Sequence, residues 1–108
     1  MVSPSVIKGV RDYLGKLNSS GVPTSFGILF GSQVTNKADE WSDIDLIVVS
    51  SVFDGEIKRE MINILWRIAA HTDSRIEPIP CGEKQWKEGD SSPLVDIARM
   101  EGLRIDVN

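Results

Sequence analysis

The feature that most constrains the fold is a pair of short apolar runs set between segments of helical period. The first, Phe26–Phe30, is rich in β-formers and stops abruptly at Gly31-Ser32. The second comprises Ile44, Leu46, Ile47, Val48 and Val49 and follows a polar stretch from Gln33 to Ser42. Runs this short, bounded by turn residues, read as buried strands. The flanking segments have a different period. Ser3 is placed to cap a helix and Pro4 to occupy its first turn, and Ile7, Val10, Leu14 and Leu17 then recur at three- and four-residue steps. Asn18-Ser19-Ser20-Gly21 ends that helix, with Pro23 in the following loop. After Asp54-Gly55 a longer helix is predicted, with a buried stripe of Ile57, Met61, Ile64, Leu65 and Ile68. Lys58, Arg59, Glu60 and Arg67 lie on its outer face. Arg75 to Pro80 reads as a third strand, which its two prolines make an edge strand or at least a short one. Cys81 to Ser92 reads as a polar loop, Leu94, Ile97 and Ala98 as a short helix stopped at Gly102, and Leu103, Ile105 and Val107 as a final strand. The expectation is an α/β (α+β) domain over residues 1–108, with helices packed on one small sheet.

Composition narrows the class. At 108 residues the chain has room for one core. Twelve Lys and Arg against 16 Asp and Glu give a net charge of −4, the wrong sign for a protein that covers duplex phosphates. No apolar run approaches the length of a membrane span. Met1-Val2-Ser3-Pro4 lacks the basic and apolar regions of a secretory signal. The single Cys81 excludes an internal disulfide and a multi-cysteine metal site. A cytoplasmic protein is expected.

The chemistry concentrates between Gly27 and Val49. Gly31-Ser32 leaves one strand, and ten residues further on Asp43 and Asp45 stand at the start of the next. Positions i and i+2 of a strand share a face, so the two carboxylates lie side by side. Like charges so placed raise each other's pKa unless a cation intervenes. A divalent ion is the simplest compensation, and oxygen ligands without His or Cys suit Mg²⁺ or Mn²⁺. Gly31 permits close backbone approach to an anion, and the Ser32 hydroxyl can donate to phosphate oxygens. A phosphate cradle facing a carboxylate pair is the layout of metal-assisted phosphoryl or nucleotidyl transfer.

This arrangement, Gly31-Ser32, ten residues, then Asp43-Ile44-Asp45 and an apolar strand, resembles the DNA polymerase β-type nucleotidyltransferase superfamily. The chain's size and order of elements are similar to its minimal nucleotidyltransferase (MNT) branch, and so imply the nucleotidyltransferase fold, with a small mixed β-sheet. The resemblance assigns the triphosphate to Gly31 and Ser32, and the metal and catalysis to Asp43 and Asp45. A third carboxylate on a later strand completes the site as metal ligand and base, and Glu77, in the predicted third strand, is the matching residue. Many MNT proteins follow the Gly-Ser pair with a small residue, an arginine and a glycine. Here Val34-Thr35-Asn36 stands instead: Asn36 tolerates a left-handed turn, and Lys37 replaces the arginine as a nucleotide-binding point charge.

MNT proteins of this size partner helical HEPN-type toxins. The resemblance therefore implies an antitoxin that moves AMP from ATP to a hydroxyl of such a partner, in a homo- or hetero-oligomer. A binding module that neutralises its partner by contact alone is the alternative, and Thr35 is the feature favouring it. Transfer to a small molecule such as an aminoglycoside needs an acceptor pocket for which the chain is short. His71 reads as a structural residue near a helix end. Asp39 and Glu40 read as solvated, Trp41 as either a packing residue or a surface for a base or a partner protein, and Trp86 as an exposed contact in its loop.

Overall fold

The computed structural model describes residues 2–35, 37–39, 41–88 and 92–107; Asn36 and Glu40 lie outside them. Helix α1 runs Pro4–Ser19, opened by an extended Ser3 at φ −61°, ψ 131°. The Ser3 hydroxyl does not cap the helix but pairs with that of Ser5 at 2.9 Å. Its last turn closes where Ser20 N–H reaches the Lys16 and Leu17 carbonyls, and Gly21 then turns the chain at φ +92°. Val6, Val10, Tyr13, Leu14 and Leu17 form the buried face. Helix α2, Arg59–Thr72, buries Leu65 and Ala69 fully, while Met61, Ile64 and Ile68 are half-buried against the same core. The Tyr13 hydroxyl donates to the Leu65 carbonyl at 2.9 Å, joining the two helices through a buried hydrogen bond.

Strands β1 (Phe26–Phe30), β2 (Ile44–Ser50), β3 (Ile76–Gly82) and β4 (Leu103–Asp106) form one mixed sheet in the order β3-β2-β1-β4. β1 is antiparallel to β2 and β4, and β2 is parallel to β3, with α2 as the crossover. β3 lies at the edge, as its prolines require. Ile44 N–H bonds the Arg75 carbonyl at 2.8 Å, so the odd-numbered residues of β3 face β2 with both backbone groups. Pro78 and Pro80 therefore turn their missing N–H toward the open side.

Alternation along the strands sorts side chains to two faces. Leu29, Ile44, Leu46, Val48, Ile76 and Ile105 join α1 and α2 in the larger core. Ile28, Phe30, Ile47, Val49 and Cys81 form a smaller core on the other face with Val95 and Ala98 of α4 (Pro93–Glu101). Gly102 ends α4 at φ −73°, so a left-handed turn is not what it provides. A Cβ there would collide with the Ala98 carbonyl and Ile28 Cγ2; the residue lets α4 descend directly into β4.

The expected loop from Cys81 to Ser92 is corrected by the structure. Cys81 and Gly82 complete β3, and Glu83–Glu88 forms a short helix, α3. The Asp54 carboxylate accepts the Lys84 N–H at 3.1 Å, supplying at long range the partner a helix start needs. Trp86 is likewise a packing residue. Its ring meets Phe26 edge-on, with centroids 6.0 Å apart, and the Arg99 guanidinium lies 5.2 Å from its centroid. His71 is exposed, with Nδ1 2.8 Å from the Arg67 carbonyl. No helix among the described residues is long and apolar enough to cross a membrane.

Candidate active site

The sheet places the predicted acids by parity and register. Asp43 and Asp45 continue the β2 row of Ile47 and Val49, and Glu77 continues the β3 row of Ile79 and Cys81. Both rows belong to the face carrying the smaller core. The parallel pairing sets Asp45 opposite Glu77, and the antiparallel pairing sets Asp45 opposite Phe30, the last residue before Gly31. Three carboxylates and the Gly31-Ser32 turn thus meet at one end of that face.

Gly31 opens a 3₁₀ turn, Gly31–Gln33, with φ +76°, a conformation that favours glycine. A Cβ at this position would overlap the Asp45 carboxylate, with Asp45 Cγ at 3.3 Å. The backbone and the carboxylate therefore approach closely only because the side chain is absent. Ser32 is half-buried, and its hydroxyl has no hydrogen-bond partner among the described residues. Its carbonyl accepts the Lys37 N–H at 3.3 Å, which draws the backbone of Lys37 to the turn. The Lys37 side chain is exposed and makes no ion pair among the described residues, so it is not brought onto the acids. Thr35 donates its hydroxyl to the Gly31 carbonyl at 3.2 Å and braces the turn from outside.

Gln33 escaped the sequence reading. It is a buried polar residue, and its Nε2 donates to the Ser42 carbonyl at 3.4 Å and the Asp43 carbonyl at 3.2 Å. These bonds tie the Gly31 turn to the entry of β2. The only sequence signal was its position just after Ser32, because its partners are backbone atoms nine and ten residues away.

Electrostatics follow from this clustering. Partial burial pushes Asp45 above the ordinary carboxylate range; a hydrogen bond with Glu77 opposes this and Asp43 adds to it. Glu77 is also raised, by desolvation first and then by Asp43 and Asp45. The two ion pairs described elsewhere, Arg75–Asp73 at 2.8 Å and Arg104–Asp106 at 2.9 Å, include none of the three acids. An all-oxygen set of carboxylates that repel one another fits the chemistry of a hard divalent cation. Among the described residues, however, no three such groups converge into a ready coordination cluster. The arrangement can hold charge on a phosphate-bearing ligand, and the surroundings of both Asp45 and Glu77 favour taking up a proton.

Comparisons with known proteins bear on the family and the fold. Residues 7–97 match the family described as nucleotidyltransferase domain. No curated protein matches the chain. Among solved structures, a candidate nucleotidyltransferase from Sulfolobus solfataricus superposes with a TM-score of 0.62 at 14% identity, over 93% of this chain and 78% of that one. A toxin–antitoxin structure solved with AMP-PNP gives 0.59 at 18% identity, over 88% of this chain and 71% of that one. At these identities the likeness is one of fold, which the mixed sheet and its helices share.

Proposed function

This chain belongs to the nucleotidyltransferase-domain family, and on that premise we propose that residues 1–108 act as one such domain, transferring AMP from ATP to a hydroxyl of a partner protein. The observation that carries the proposal is that strand parity and register set Asp43, Asp45 and Glu77 on one face of the sheet, at the end where the Gly31 turn lies against Asp45. Gly31 and Ser32 would receive the triphosphate through backbone N–H groups and the free Ser32 hydroxyl, with Lys37 as a nearby cation. A Mg²⁺ or Mn²⁺ ion held by Asp43 and Asp45, with Glu77 beside them, would neutralise charge on the triphosphate and on the departing pyrophosphate. The acceptor oxygen attacks the α-phosphorus, the bond from that phosphorus to the α–β bridging oxygen breaks, and pyrophosphate leaves. The acceptor's proton passes to Glu77, the carboxylate that the sheet register sets opposite Asp45.

The fold shared with the toxin–antitoxin structure holding AMP-PNP supports an antitoxin role and nucleotide binding. The resemblance to MNT proteins names a HEPN-type toxin as the acceptor, in a cytoplasmic hetero-oligomer. One observation favours a second reading, a module that neutralises its partner by contact: Thr35 uses its hydroxyl on Gly31 and contributes no cation.

Transfer of label from α-labelled ATP with Mg²⁺ tests the choice, using purified protein and a lysate of its source cell. The enzyme reading expects a labelled protein band with wild type and none with Asp43→Asn/Asp45→Asn. Equal labelling by both proteins, or no labelling in the presence of a bound partner, overturns it.

A further inference from the structure

Trp41 has 83% of its surface exposed, against 49% for Trp66, while Trp86 is half-buried. It stands two residues before Asp43, so their Cα atoms lie within roughly 7 Å of each other. The backbone beneath the exposed ring is tightly held. Trp41 N–H donates to Asp39 Oδ1 at 2.8 Å, and the Ser42 hydroxyl donates to the same oxygen at 3.2 Å. In return, Asp39 N–H donates to Ser42 Oγ at 2.9 Å. Gln33 Nε2 then joins the Ser42 and Asp43 carbonyls to the turn that carries Ser32. Ser32, Asp43 and Trp41 are therefore mounted on one hydrogen-bonded frame. It carries a hydroxyl with no hydrogen-bond partner among the described residues, a carboxylate and an exposed aromatic ring.

A ligand that engages all three must carry phosphate, charge suited to a metal, and a flat π-surface. A nucleoside triphosphate has this combination. We propose that Trp41 stacks on the base of the bound nucleotide, a role that rests on the nucleotidyl-transfer reading above and adds a base-binding residue to it. Because every base has a π-face, such a platform is tolerant of base identity. Stacking by one indole is worth about 5- to 100-fold in affinity, about 1–2.8 kcal/mol at 1.4 kcal/mol per tenfold.

The test is calorimetric titration of the full chain with Mg²⁺–AMP-PNP and, separately, with Mg²⁺–triphosphate, which has no base. Wild type, Trp41→Phe and Trp41→Ala are compared, with melting curves confirming that each folds. The expected result is AMP-PNP binding weakened about 5- to 100-fold in Trp41→Ala and largely retained in Trp41→Phe, with triphosphate binding equal in all three. Undiminished AMP-PNP binding in Trp41→Ala overturns the stacking role alone and returns the ring to a protein-contact function. Equal affinity of wild type for AMP-PNP and triphosphate also overturns stacking, while leaving the phosphate and carboxylate assignments standing. Failure of wild type to bind either ligand overturns both stacking and the transferase reading.

Discussion

Replacing Gly31 by alanine isolates the most demanding contact at the candidate site. The residue has φ +76°, a conformation in which an L side chain costs about 1–2 kcal/mol. The new Cβ also overlaps the Asp45 carboxylate. Asp45 cannot withdraw along its strand, because it is registered between Phe30 and Glu77. It must leave its rotamer instead, toward a second carboxylate, at a further cost of about 1 kcal/mol. The structure supplies controls for the backbone part: Gly21 at φ +92° and Gly55 at φ +83°, where an added Cβ would meet nothing within 4 Å. Gly21→Ala and Gly55→Ala should each lose about 1–2 kcal/mol, and Gly31→Ala about 2–3 kcal/mol. At roughly 4 °C per kcal/mol, that is a fall in Tm of about 4–8 °C for the controls and about 8–12 °C for Gly31→Ala. In an Asp45→Ala background, Gly31→Ala should fall back to the control value, because the overlapping atoms are gone. Thermal unfolding of the single and double variants checks this. A Gly31→Ala loss no larger than the controls, or one unchanged by Asp45→Ala, would refute the contact as its source.

Three further outcomes are expected. Asp43→Asn should raise stability at neutral pH by on the order of 0.5 kcal/mol, because Asp43 contributes to the raised pKa of both Asp45 and Glu77. Raised carboxylate pKa values mean that the folded state holds these protons more tightly, so stability is fullest below the unfolded carboxylate range and declines as pH rises through the folded values. The gain should therefore vanish near pH 3, and urea titrations giving a loss at pH 7 would make Asp43 a structural residue. Gln33→Leu should cost about 1–2 kcal/mol, because the Ser42 and Asp43 carbonyls lose their donor; it should also weaken Mg²⁺–AMP-PNP binding, and unchanged calorimetric titrations would remove Gln33 as a positioning residue. Burial, with Asp54 adding, pushes the Cys81 thiol up to about 11. The folded protein should resist alkylation at pH 8, and stability should be full below about 9 and fall between about 9 and 11 as the unfolded thiol ionises first; rapid labelling of native protein at pH 8 would contradict this.

What the sequence determined by itself is local periodicity and its consequences. Val10, Leu14 and Leu17 recur at helical steps, and a stripe at that spacing buries the same face in any fold that uses it. The run from Ile44 to Val49 reads as a buried strand for the same kind of reason, and strand parity places Asp43 and Asp45 on one side whatever they pair with. Pro78 and Pro80 restrict β3 to an edge because a missing donor cannot serve a central ladder. Tertiary structure decided everything that depends on register or on partners distant in the chain. Glu77 stands opposite Asp45 only because α2 returns the chain to lay β3 parallel to β2. The same crossover brings Asp54 to the start of α3, so a segment whose own residues signalled a loop becomes helical, with Trp86 packed on Phe26. Gln33 shows no pattern of its own, since hydrogen bonds to carbonyls at Ser42 and Asp43 depend on where the backbone passes. Trp41 could have packed or stacked on sequence grounds, and its exposure was settled by the path of the turn that carries it. Periodicity is written in neighbouring residues, whereas register, caps and exposure depend on which distant segments the folded chain brings together.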